Sequence, residues 1–119
     1  MVTPIFRISD YQQAMAFYID WLGFRIDWED WSSRGPLYMQ VSRGSIVLHL
    51  TSHPEDGCPG GAKAMAEING LIAFHHLLLK KDSAFPHPAL QKTTWSDKVM
   101  QAQVTDPFGN CLLFIEACA

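Results

Sequence analysis

A chain of 119 residues has the length of one ordinary domain, and with 48% of them apolar it can bury a core, which excludes a disordered polymer. A formal charge of −3 without a Lys/Arg cluster gives no electrostatic footprint for nucleic acid, and no apolar run reaches the roughly 20 residues that span a bilayer. The cysteines Cys58, Cys111 and Cys118 form no C-x-x-C pair, which predicts reduced thiols, and the absence of a basic leader after Met1 makes the cytoplasm the expected compartment.

Residues 4–8 (PIFRI) read as a short strand, with Pro4 tolerable at a strand start. Ser9 or Asp10 then supplies an oxygen to cap a helix. Ala14, Phe17, Tyr18, Trp21 and Leu22 fall at i, i+3, i+4, i+7 and i+8, one continuous apolar stripe, and Gly23 stands where a left-handed cap belongs. Residues 24–31 alternate Phe24/Ile26/Trp28 against Arg25/Asp27/Glu29, the period of a half-exposed strand. Two more strands, 37–41 and 46–51, flank the turn Ser42-Arg43-Gly44-Ser45. The stretch 53–61 (HPEDGCPGG) is a loop that divides the chain near its middle.

The second half repeats this plan. Residues 64–68 (AMAEI) form a strand, and Asn69 or Gly70 opens a helix with Leu71, Phe74, Leu77 and Leu78 on its buried side. Residues 82–90 hold two prolines and make an irregular strand, while 95–104 and 111–115 flank the turn Asp106-Pro107-Phe108-Gly109-Asn110. Ile5-Phe6-Arg7-Ile8 aligns with Met65-Ala66-Glu67-Ile68, and Met39-Gln40 with Met100-Gln101. The expected architecture is α+β: two βαβββ modules (1–52 and 62–119, joined by the linker 53–61) related by an internal pseudo-twofold axis. Each sheet is covered on one face by its helix, and the other faces form a shared concave cleft.

These motifs resemble the vicinal-oxygen-chelate superfamily, which includes glyoxalase I, extradiol dioxygenases, fosfomycin-resistance enzymes and bleomycin-resistance proteins. The resemblance is carried by Ile8-Ser9-Asp10, Ala16-Phe17-Tyr18 and Leu22-Gly23-Phe24 in the first half. In the second half it is carried by Thr105-Asp106-Pro107-Phe108-Gly109-Asn110 and the strand after it. It lies nearest the bleomycin-resistance branch, through Gly70-Leu71, Trp95 and the acidic aromatic run Asp27-Trp28-Glu29-Asp30-Trp31. One departure is Thr94-Trp95-Ser96, where that branch commonly has Pro-Trp-Gly.

In metal-dependent members the resemblance implies ligands on the first, fourth, fifth and eighth strands, which fall here at Thr3, His49, Lys63 and Leu113. Leu113 has no donor, Lys63 would have to lose its proton, and the Thr3 hydroxyl is weak. His49 alone is a credible ligand, and one ligand does not hold a divalent ion. Glu67 shares a face with Lys63, strand alternation sends Glu116 to the other face, and His75 and His76 sit on the second helix. No metal and no other cofactor is expected.

Trp28, Trp31, Tyr38 and Trp95 can line one groove, where flat rings stack on heterocycles or accept cations. The resemblance implies sequestration of a planar or cationic ligand such as a bleomycin-class antibiotic, a binding and resistance function without turnover. Expected ligand-binding residues are Arg7, Trp28, Trp31, Tyr38, His49, Lys63, Glu67 and Trp95, with Arg7 and Glu67 pairing near the pseudo-twofold axis. The competing expectation is a glyoxalase-type lyase or isomerase, or a dioxygenase, using a metal or a substitute acid–base pair of His49 with Glu67 or Lys63. The expected partners are a small molecule and a second copy of the chain, a homodimer in which modules or first strands can be exchanged, with neither nucleic acid nor membrane.

Overall fold

The computed structural model describes residues 1–33 and 35–118, which divide into two compact units. The first comprises Met1–Ala62 and Asp106–Asn110; the second comprises Lys63–Thr105 and the segment from Cys111 onward.

In the first unit, β1 (Ile5–Arg7) leads to Asp10, whose carboxylate accepts from Gln13 N at 2.9 Å and caps α1 (Tyr11–Met15). Regular α-helix was expected throughout the apolar stripe, but from Ala16 to Trp21 the turns widen to π type. Leu22 N bonds Phe17 O at 3.0 Å and Phe24 N bonds Tyr18 O at 2.9 Å, so the widening closes the helix onto Gly23, whose φ is 82°. The stripe remains inside, with Ala14, Phe17, Tyr18, Trp21 and Leu22 all buried.

Strands β2 (Arg25–Trp31), β3 (Leu37–Arg43) and β4 (Ile46–Thr51) complete a mixed sheet in the order β1-β4-β3-β2, with β1 parallel to β4 and the other pairs antiparallel. Residues directly opposite one another share a face, so the register sorts the side chains. Phe6, Leu50, Met39 and Glu29 form one row, and Leu37 stands opposite Trp31. Glu29 and Trp31 reach Tyr11 of α1, so this is the helix-covered face. Ile5, His49, Gln40 and Trp28 form a row on the other face, and Arg7, Thr51, Tyr38 and Asp30 the next.

The alternation expected along β2 fails at Asp27. Ile26 pairs with Val41 but Trp28 with Gln40, so Asp27 is the extra residue of a β-bulge. The bulge shifts the parity of everything after it, placing Trp28 on the open face and Glu29 and Trp31 on the helix face.

The turn Asp106–Asn110 belongs to the first unit by its contacts. Asp106 is buried and accepts from Phe108 N, Asn110 N, Asn110 Nδ2 and Tyr18 Oη at 2.6–2.9 Å. Asn110 Nδ2 also donates to Arg7 O, and Asn110 Oδ1 accepts from Ala62 N. Gly61 (φ 101°) and Gly109 (φ 92°) pack so closely that a Cβ on Gly61 would lie 2.2 Å from Gly109 O.

The second unit repeats the topology: β5 (Lys63–Glu67), α2 (Leu71–Lys80), β6 (Leu90–Lys92), β7 (Val99–Thr105) and β8 (Cys111–Ala117), in the sheet order β5-β8-β7-β6. Gly70 is the N-cap of α2 and has no side chain to offer. Glu116 supplies the missing acceptors, its two oxygens taking Gly70 N at 2.8 Å and Leu71 N at 2.9 Å. Those bonds hold its carboxyl below the usual carboxylate range.

Three expectations for this unit are corrected. Leu71, Phe74 and Leu78 are buried but Leu77 is 48% exposed, because only one of three successive leucines can face the sheet from a helix. The strand expected over 82–90 is reduced to Leu90–Lys92, and β7 begins at Val99 rather than at Trp95. Thr93 Oγ1 donates to Ser96 O and accepts from Ser96 N, which folds 93–96 into a tight turn. The repeat register also shifts: the row Ile5–His49–Gln40 corresponds to Met65–Leu113–Gln103, so Gln40 matches Gln103 and not Gln101.

Candidate functional site

The open face of the first sheet gathers a chain of polar side chains around aromatic rings. Tyr38 Oη lies 2.8 Å from His49 Nδ1, and His49 Nε2 lies 3.1 Å from Gln40 Oε1. Gln40 Nε2 donates to Asp27 Oδ2 at 3.0 Å. Asp27 Oδ1 accepts from Ser42 Oγ at 3.0 Å and from Arg25 Nε at 3.2 Å. The backbone at the bulge is exposed while the Asp27 side chain keeps only 19% of its accessible surface, so the carboxylate is turned in toward these donors. The hydrogen bonds from Gln40 and Ser42, aided by the Arg25 charge, lower its pKa.

Trp28 lies near-parallel to Tyr38 (centroids 6.1 Å apart, planes at 14°) and meets His49 edge-on at 5.6 Å. Tyr38 and His49 are themselves edge-to-face at 5.1 Å. Offset and edge-to-face arrangements are those aromatic quadrupoles favour. Burial, and next the negative charge of Asp56, raise the Tyr38 pKa, which keeps the phenol protonated at neutral pH. Trp28 remains 42% exposed and available to a ligand.

Of the residues expected to bind ligand, Trp28, Tyr38 and His49 are brought together. Trp31 is not among them: it lies on the helix-covered face, 5.3 Å from the Tyr11 ring, with its indole N–H donating to Glu29 Oε2. Glu29 also binds the Tyr11 hydroxyl, and this contact pushes the Tyr11 pKa up to about 12. Arg7 shares the open face, with Nη1 donating to Pro54 O at 2.7 Å. Lys63, Glu67 and Trp95 lie in the second unit. Lys63 and Glu67 are exposed at the two ends of β5, and Trp95, 59% exposed, stands in the loop before β7. The sequence pattern assigns neither Asp27, noted only in the acidic aromatic run of β2, nor Gln40 to the ligand-binding set. A bulge leaves no mark in a single sequence, and Gln40 drew notice only as part of the repeat.

The donors do not fit a metal. His49 uses both ring nitrogens on Tyr38 and Gln40, Leu113 offers no donor atom, and Lys63 would bind only after losing its proton. Among the described residues, no three His, Cys, Asp or Glu side chains cluster as a metal site would require.

The family model of the glyoxalase superfamily protein matches residues 1–119. The chain belongs to the glyoxalase superfamily. This glyoxalase-superfamily chain is similar in fold to a bleomycin-binding protein solved with bleomycin (24% identity, 98% of this chain and 97% of the other covered, TM-score 0.72). It is similar in the same way to a bleomycin resistance determinant encoded on the transposon Tn5 (22% identity, 98% and 97% covered, TM-score 0.72). A third similar structure is a glyoxalase family protein from Enterococcus faecalis (19% identity, 97% and 94% covered, TM-score 0.67). No curated protein matches the chain in sequence. No helix among the described residues is long and apolar enough to cross a membrane.

Proposed function

We propose that this glyoxalase-superfamily chain is a small-molecule binding protein that holds a planar or cationic ligand against the Trp28–Tyr38–His49 face without metal. The observation that carries the reading is the near-parallel Trp28–Tyr38 pair, part-exposed and braced by His49. Stacking on such rings contributes roughly 0.5–1.5 kcal/mol per aromatic pair beyond the area buried. Asp30, opposite Tyr38 on the same face, and Asp56, whose charge is felt at the Tyr38 hydroxyl, favour a cation there. Likeness to a protein solved with bleomycin makes bleomycin-class glycopeptides the first ligands to try.

The competing reading is an acid–base enzyme of the lyase, isomerase or dioxygenase kind. It is less well supported, because His49 would have to give up its bond to Tyr38 before Nδ1 could take a proton from a substrate. A thermal-shift screen with bleomycin-class glycopeptides and aromatic cations tests the proposal. A ligand at a hundred times its Kd stabilises the fold by roughly 2.7 kcal/mol, which moves the midpoint by several degrees. No shift with any of them in folded protein contradicts it.

A further inference from the structure

The bonds linking Tyr38, His49, Gln40 and Asp27 run in one direction. An ionised carboxylate only accepts hydrogen bonds, so Gln40 must turn its NH2 group to Asp27 Oδ2 and its carbonyl Oε1 to His49 Nε2. A carbonyl oxygen also only accepts, so Nε2 carries the imidazole proton. In the neutral ring Nδ1 is then a lone pair, and the hydroxyl 2.8 Å away gives its proton to it. Every proton in the chain points toward Asp27. Tyr38 Oη, its proton spent inward, is left with lone pairs alone to offer a ligand.

Asp27 sets this direction, and it reaches Gln40 only because the bulge turns its carboxylate to the open face, where Ser42 and Arg25 hold it. Asp30, on the same face, adds a further acceptor and forms no ion pair with another described residue. Bonds aligned head to tail polarise one another, so a hydroxyl that donates inward becomes a stronger acceptor for a ligand.

We infer that this face selects, among planar ligands, those that donate a hydrogen bond from a ring or exocyclic N–H over ligands of the same shape that have none, and that Asp27 is the positioning residue for that preference. The inference rests on the proposed binding at Trp28 and Tyr38 and adds the ligand's chemistry to it. Amino-substituted and protonated heteroaromatics are the class that fits. N-alkylated aromatic cations stack equally well but leave the Tyr38 lone pairs unpaired.

The test titrates the protein with an aminoacridine and with an N-methylacridinium, flat cations of matching ring system of which only the first carries N–H groups. The aminoacridine binds about tenfold more tightly, the effect of one well-formed hydrogen bond. Tyr38→Phe, which keeps the ring and removes the acceptor, abolishes most of that advantage while both probes still bind. In parallel, the ring 15N resonances of His49 report Nε2–H with an unprotonated Nδ1 in the unaltered protein and a mixture of tautomers in Asp27→Ala. A role of Asp27 in folding alone would leave that signature unchanged. Equal affinity for the two probes, an advantage that survives in Tyr38→Phe, or an Nδ1–H tautomer overturns the inference and leaves the binding proposal standing. Failure of both probes to bind overturns this inference, and the binding proposal falls with it only when bleomycin-class glycopeptides fail to bind as well.

Discussion

Tyr18, in the π-type turn that ends the first helix, donates its phenolic proton to Asp106 Oδ2 at 2.6 Å across 88 residues of sequence. Both side chains are buried. The contact joins the two pieces of sequence that carry the family resemblance, the Phe17-Tyr18 helix and the Asp106-to-Asn110 turn. Through it the turn between β7 and β8 becomes part of the first unit.

Tyr18→Phe therefore costs stability without touching the open sheet face. Removing one partner of a buried bond to a carboxylate costs about 1–3 kcal/mol. Asp106→Leu costs more, because it leaves Tyr18 Oη, Phe108 N, Asn110 N and Asn110 Nδ2 without the acceptor they share. Urea denaturation of the two variants checks both the size and the order.

Gly61→Ala is expected to destabilise by roughly 2 kcal/mol or more, since its φ is 101° and the added Cβ would sit 2.2 Å from Gly109 O. Gly60→Ala is the control. Its φ of 82° is also left-handed, but nothing lies within 4 Å, so only the backbone penalty of roughly 1–2 kcal/mol applies. Equal losses in the two variants would show that the close approach at Gly61 is unimportant.

Glu116 makes α2 sensitive to acid. Its folded-state pKa is depressed by the bonds from Leu71 N and Gly70 N, so the unfolded chain binds the proton more readily. Its contribution is present above the unfolded value of roughly 4.3 and is lost as pH falls through the lower folded value. Denaturation across that acid range should show Glu116→Gln with a flatter pH dependence than the unaltered protein. Identical slopes would contradict the capping role.

Trp31→Ala should leave ligand affinity within about twofold of the unaltered protein, as expected of a residue outside the binding face. It should lower stability through loss of the Tyr11 and Glu29 contacts. Titration calorimetry separates the two effects, and a large loss of affinity at unchanged stability would return Trp31 to the ligand face.

Much of the fold is legible in the sequence because it rests on periodic burial. The stripe from Ala14 to Leu22, the left-handed Gly23 and the repeated strand order all follow from residue spacing. The candidate site is less legible because one residue decides it. Asp27 interrupts the alternation of β2, and the parity reversal beyond it puts Trp28 where alternation alone would not, while Trp31 turns toward the helix. Glu116 was assigned by alternation to the face opposite Lys63 and Glu67. What alternation could not supply is its role, since a glycine N-cap borrows its acceptors from 46 residues away. Thr93 hides in the same way, because a side-chain bond and not hydrophobic period ends the strand region before Trp95.

Binding at the Trp28–Tyr38–His49 face requires, on this proposal, neither metal nor a second protein. Isothermal titration of chelator-treated protein and of Trp28→Ala with a bleomycin-class glycopeptide and with an aminoacridine tests it most directly. Saturable binding of at least one of them to the metal-free protein is expected, with affinity reduced at least about tenfold in a folded Trp28→Ala variant. Binding that appears only after zinc, nickel, iron or manganese is added, or that is unchanged in Trp28→Ala, would contradict it.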